Sequence, residues 1–78
     1  IPPTCIAYLL SMASLGQTCS TSMVADDLNK TPQQVSSIRS RLLRESIIEA
    51  PSYGKVSFAI PYMRDYLIDH KAELEAEL

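Results

Sequence analysis

Residues Ser20–Ile60 read STSMVADDLNKTPQQVSSIRSRLLRESIIEAPSYGKVSFAI. Two patterns of helical period meet at Asn29-Lys30-Thr31-Pro32, and two patterns of strand period meet at Ser52-Tyr53-Gly54-Lys55. The clearest signal lies between them. Thr31 followed by Pro32 is an N-cap with proline at the first helical position, where its missing N–H costs nothing, and Gln34 stands three residues on, as a capping box requires. A helix therefore begins at Pro32 and runs to about residue 45. Val35, Ile38 and Leu42 form its buried stripe, with Leu43 at the margin. At about 100° per residue the opposite face carries Gln33, Ser37, Ser40, Arg41 and Arg44, with Gln34 and Ser36 at the sides. Arg39 falls beside the stripe and reads as a packing or ion-pairing residue.

Working outward, Ser20 or Thr21 caps a shorter helix whose apolar face is Met23, Val24 and Leu28, leaving Asp26 and Asp27 to solvent. After Ser46 the period changes. Ile47–Pro51 and Val56–Ile60 read as an antiparallel hairpin, with Val56, Phe58 and Ile60 alternating toward the core and Gly54 supplying a positive φ in the turn. At the N-terminal end, Pro2 and Pro3 open a first helix whose stripe is Ile6, Leu9, Leu10 and Ala13 and whose stop is Gly16. Gln17–Cys19 suits a minimal strand. Pro61 opens a fourth helix in which Tyr62, Met63, Tyr66, Leu67 and Ile68 pack back on the first. Residues 70–78 extend it as an acidic helical tail.

The expected fold is mainly α with a small antiparallel β-hairpin, in the order of a winged helix-turn-helix, as one domain over residues 1–78. In that motif the second helix of the pair enters the DNA major groove. Gln pairs bidentately with adenine, Arg with guanine or phosphate, and Ser with either, so the outer face of the third helix is chemically suited to double-stranded DNA. The expected contacts are Thr31, Gln33, Gln34, Ser37, Ser40, Arg41 and Arg44 on the helix, and Tyr53 and Lys55 on the wing.

Charge sharpens this. The 78 residues carry seven Lys and Arg against nine Asp and Glu, a formal net charge of −2. Residues 30–55 hold Lys30, Arg39, Arg41, Arg44 and Lys55 against only Glu45 and Glu49, so the positive charge gathers on the third helix and wing. The remainder is acidic. A sequence pI near 5.2 lies far below the value of about 9 typical of a stand-alone nucleic-acid binder, so the expected affinity is weak unless the domain is dimeric or tethered.

Other chemistries find little to build on. Cys5 and Cys19 read as small buried hydrophobes in a reducing cytoplasm, since zinc asks for four ligands and only His70 could join them. His70 reads as a solvated residue near a helix end, with neither a nucleophile nor a metal set beside it. No catalytic residue, cofactor or membrane-spanning segment is expected. The start at Ile-Pro-Pro suggests a piece cut from a longer chain.

These residues also carry a resemblance. Met12, Ala13, Leu15 and Gly16 at the end of helix one, Arg39, Leu42, Leu43, Ile47 and Ile48 at the end of helix three, and Gly54, Val56, Phe58 and Pro61 in the second wing strand look like the C-terminal winged-helix domain of bacterial and archaeal AAA-type P-loop ATPases. That family usually shows Met-Ala-x-Leu-Gly, a Lys-Gly-Leu-Ile helix ending, and Gly-x-Val-x-Phe-x-x-Pro. The departure is Glu45-Ser46, where the family carries a basic residue and Gly. The resemblance implies an upstream ATPase domain as partner for a non-catalytic module lacking any phosphate loop. Its function would be DNA binding, or else protein interaction and regulation by packing on the ATPase. A homodimer through the C-terminal helix is a third arrangement.

Overall fold

The computed structural model describes residues 2–78. Helix α1 (Pro3–Leu15) is followed by β1 (Thr18–Ser20), α2 (Thr21–Asp27), α3 (Pro32–Arg44), β2 (Ile48–Glu49), β3 (Lys55–Phe58), α4 (Met63–Asp69) and α5 (Lys71–Glu75). The chain is mainly helical with one small antiparallel sheet of three strands in the order β1-β3-β2.

Helix α1 is the centre of the packing. It starts on Pro2 and Pro3 and buries Cys5, Tyr8, Leu9, Leu10, Met12 and Ala13, which spread around its circumference instead of forming one stripe. A helix buried nearly all round must be enclosed by other elements, and α2, α3, α4, α5 and β1 all contact it. Its exit needs Gly16, whose φ of 145° is open only to glycine, and the Gly16 N–H bonds to Met12 O at 2.9 Å. Arg64 from α4 donates to Ala13 O at 3.0 Å, placing a cation on the carbonyl end of α1.

The α2–α3 connection is fixed at both ends by local chemistry. Asn29 takes φ 58°, and the bonds Asn29 N–H to Asp26 O and Lys30 N–H to Ala25 O close a Schellman motif on α2. Thr31 then caps α3: its Oγ1 accepts from Gln34 N–H at 3.3 Å, and Gln34 Oε1 accepts from Thr31 N–H at 2.9 Å. The expected capping box is present in full. At the other end of α3 the same Schellman bonds form, Ser46 N–H to Leu43 O and Ile47 N–H to Leu42 O, with Ser46 at φ 61°. Serine thus occupies a left-handed position that glycine fills at lower cost.

Strand β3 pairs on both sides, Cys19 with Val56 and Ile48 with Phe58. Val56 and Phe58 are buried as expected, and Ser57 is enclosed as well because strands flank it on either side. The hairpin is shorter than the sequence pattern suggests. β2 holds only Ile48–Glu49, and β3 ends at Phe58. Ile60, expected in the core, is 41% exposed because the chain bends away once the pairing stops.

Further expectations are corrected by burial. Met23 lies exposed, and Ala25 takes the inward position beside Val24. Ser20 holds the N-cap position of α2 without capping it, its Oγ instead meeting Ser22 Oγ at 2.8 Å. Pro61 does not open α4. Tyr62 at φ 63° turns the chain first, which leaves Tyr62, Tyr66 and Ile68 exposed, while Leu67 is buried and Met63 half-buried. The tail does not prolong α4: the helix breaks at His70, and α5 folds back toward α1 with Leu74 against the core. His70 is correspondingly half-buried, its ring 4.3 Å from that of Tyr66. Cys5 and Cys19 are free and buried, in keeping with their reading as small hydrophobes.

The two ends of α3 give opposite tests. Ser46→Gly is expected to raise stability by about 0.5–1 kcal/mol by relieving the left-handed serine. Thr31→Ala should lower it by about 1 kcal/mol through loss of the cap. Urea unfolding followed by circular dichroism reads both, and a destabilised Ser46→Gly would refute the strain assigned to Ser46.

Candidate functional site

The start of α3 and the β2–β3 turn lie side by side. The turn is held from below. Thr21 donates its N–H to Gly54 O at 2.9 Å and its hydroxyl to the same carbonyl at 3.3 Å, while Lys55 N–H closes on Ser52 O at 3.1 Å. Gly54 takes φ 74°, a value that permits this tight reversal. The start of α2, the start of α3 and the turn thereby border one groove of about 490 Å³.

The nine expected contact residues are all exposed but do not form one site. Gln33, Tyr53 and Lys55 line the groove. Ser37, Ser40, Arg41 and Arg44 run along α3 away from it. Thr31 and Gln34 spend their side chains on each other in the cap. Arg41 is similarly occupied, its Nε bonding Glu45 Oε2 at 3.1 Å, which is the one ion pair among the described residues. A pair this exposed contributes only about 0.3–0.5 kcal/mol to stability, but it masks one of the two outward guanidinium groups. Arg44 keeps its charge free of such a pair.

Two groove residues that the expected contacts left out bear on its chemistry. Arg39 is half-buried in the wall, and Tyr8, from the middle of α1, is the floor. Tyr8 is fully enclosed, yet its hydroxyl has no hydrogen-bond partner. Burial pushes the phenol upward from its ordinary pKa, while the nearby Arg39 guanidinium pulls it back. The sequence signal was a tyrosine placed inside an otherwise apolar helical stripe. Burial likewise raises the Cys19 thiol, opposed by Arg64 and Lys55; its Sγ points at Met12 O and Gly16 O, both at 3.3 Å. Among the described residues no three His, Cys, Asp or Glu side chains converge on a metal position, and no helix is long and apolar enough to cross a membrane.

Residues 1–67 match the family model described as a domain of unknown function, DUF8462. The chain belongs to that family. No curated protein and no solved structure matches it. The DUF8462 match runs from α1 to Leu67 in α4, and so includes every groove residue and all of α3, whereas α5 lies beyond it.

Tyr8→Phe tests the floor. An unpartnered buried hydroxyl stabilises nothing, so its removal is expected to leave stability unchanged or raise it by up to about 1 kcal/mol. The pH dependence follows with a definite sign. A phenol with its pKa raised in the folded state ionises first in the unfolded chain, so the folded state holds more protons and stability falls as pH climbs above about 10. Tyr8→Phe should show a shallower alkaline loss in thermal melts between pH 8 and 11; an unchanged slope would place the Tyr8 hydroxyl in contact with solvent.

Proposed function

We propose that this DUF8462 domain has a winged helix-turn-helix arrangement and binds double-stranded DNA weakly, as a non-catalytic appendage to a larger P-loop ATPase. In this reading α2 and α3 form the helix pair, α3 lies in the major groove, and the turn at residues 52–55 rests on the backbone as a stubby wing. The observation that carries it is the outer face of α3. Gln33, Ser37, Ser40 and Arg44 are exposed in register there, and the only acid at its end, Glu45, is paired with Arg41. Lys30 and Lys55 stand exposed at the two flanks, giving a cationic rim for phosphates.

The affinity in this reading is low. Three or four phosphate contacts give a log K against log salt slope of about −3 and little binding at physiological salt. That fits a module whose residence on DNA depends on tethering. The ATPase attachment rests on the packing and turn residues quoted above, among them Gly16 and Gly54, which adopt the positive φ values that such a pattern needs.

A second reading is favoured by a different surface. Tyr62 and Tyr66, four residues apart, are exposed on and before α4, and Ile60 and Ile68 are exposed on other sides, more apolar surface than a solvated helix requires and suited to packing on the ATPase or another protein. A homodimer through the C-terminal helix has less support, because Leu74 is turned toward the domain's own core.

Fluorescence anisotropy with mixed-sequence duplex at low and physiological salt separates the two readings. Binding is expected at low salt, to weaken with salt, and to be lost in Arg41→Ala/Arg44→Ala. Arg44→Ala should weaken it more than Arg41→Ala, and Glu45→Gln should strengthen it severalfold by unmasking Arg41. No binding even at low salt would overturn the DNA reading and leave the exposed apolar residues around α4 as the functional surface.

A further inference from the structure

We propose that the groove between the start of α3 and the β2–β3 turn is a binding site for a small organic anion, a flat apolar or aromatic body bearing one phosphate or carboxylate group. The proposal does not rest on DNA binding.

Size is the first argument. A groove of about 490 Å³ is in the range that holds a small molecule.

Charge is the second. Although the chain carries nine acidic residues and is net negative, the groove lining contains no Asp or Glu, only the cations Arg39 and Lys55. The N-terminal end of the 13-residue helix α3, with Pro32 and Gln33 at its first two positions, borders the same space and adds a partial positive charge.

The third argument is independent of charge. Tyr8 lines the groove, and its hydroxyl is a buried donor without a partner among the described residues, while nearly all such groups in folded proteins are satisfied. Because that hydroxyl is closed to solvent in the free domain, the groove must open toward it on binding for an oxygen of the anion to supply the missing acceptor. The walls complete the description of the ligand: Val35, Pro32 and Ala50 are apolar, and Tyr53 at the rim is fully exposed, free to cover a flat ring. Inorganic phosphate alone would leave these walls uncovered.

The test is a ¹⁵N-HSQC titration of the 78-residue chain with phenyl phosphate, beside phenol and inorganic phosphate. Saturable shifts are expected with phenyl phosphate, centred on the amides of Gln33, Ser36, Arg39 and Gly54, with phenol and inorganic phosphate far weaker. Arg39→Gln should weaken phenyl phosphate at least about tenfold. Tyr8→Phe, which keeps the ring, should weaken it severalfold with an unchanged fold. If Arg39→Gln fails to fold, Lys55→Gln serves in its place. Arg44→Ala, outside the groove, should leave phenyl phosphate binding intact while reducing any binding to duplex DNA, so the two sites succeed or fail separately. Absence of saturable shifts overturns the proposal. So does phenol or inorganic phosphate binding as well as phenyl phosphate, or an equal loss in Arg39→Gln and Arg44→Ala.

Discussion

Everything in this domain is arranged by the need to enclose α1. A chain of 78 residues has few apolar side chains to pool, and placing one helix at the centre lets residues on several of its faces contribute at once. Tyr8, Met12 and Ala13 are essentially inaccessible to solvent, and the hydroxyl of Ser11, also buried, is satisfied by Asp27 at 2.7 Å. The other elements act as a shell. Val24 and Ala25 come from α2, Val35 and Leu42 from α3, Val56 and Phe58 from the central strand and Leu67 from α4. Helices α2, α3 and α4 each give the core only one or two fully buried residues, so their terminal chemistry matters correspondingly more.

That dependence explains the precision of the α2–turn–α3 unit. A Schellman motif on Asn29 and a capping box on Thr31 and Gln34 follow one another with only Lys30 between, so hydrogen bonds and a left-handed residue fix the turn between the helices. The same motif at Ser46 turns α3 into β2. Its partner strand β3 then returns past β1, which brings the β2–β3 turn over the start of α2 and α3. The groove is a product of these three local devices.

The cap residues, the buried stripe of α3, the period change after Ser46 and the glycine turn were all legible in the sequence, because each depends on neighbours within about four residues. The Arg41–Glu45 pair was legible by the same i,i+4 rule. The failures have separate local causes. Tyr62, Met63, Tyr66 and Leu67 have the period of a core-facing helix, but after the left-handed turn at Tyr62 only Leu67 of them is fully buried, whereas Ile60 leaves the core earlier, where strand pairing stops. Periodicity states that a face exists; the direction in which it points depends on one backbone angle in the preceding turn.

The amino-acid sequence by itself determined the order of elements from α1 to β3, the ends of α3 and the concentration of positive charge on residues 30–55, since these are properties of composition and short-range hydrogen bonding. Tertiary structure alone decided how those charges are placed across the domain. It divided the nine exposed candidates among an outer helix face, a groove and the α3 cap, and it brought Tyr8, from α1, close to Arg39 with its hydroxyl buried and without a partner among the described residues. The reason is geometric: a side chain's neighbours across the domain are set by how α1 is enclosed, and residues some thirty positions apart carry no local signal of that meeting.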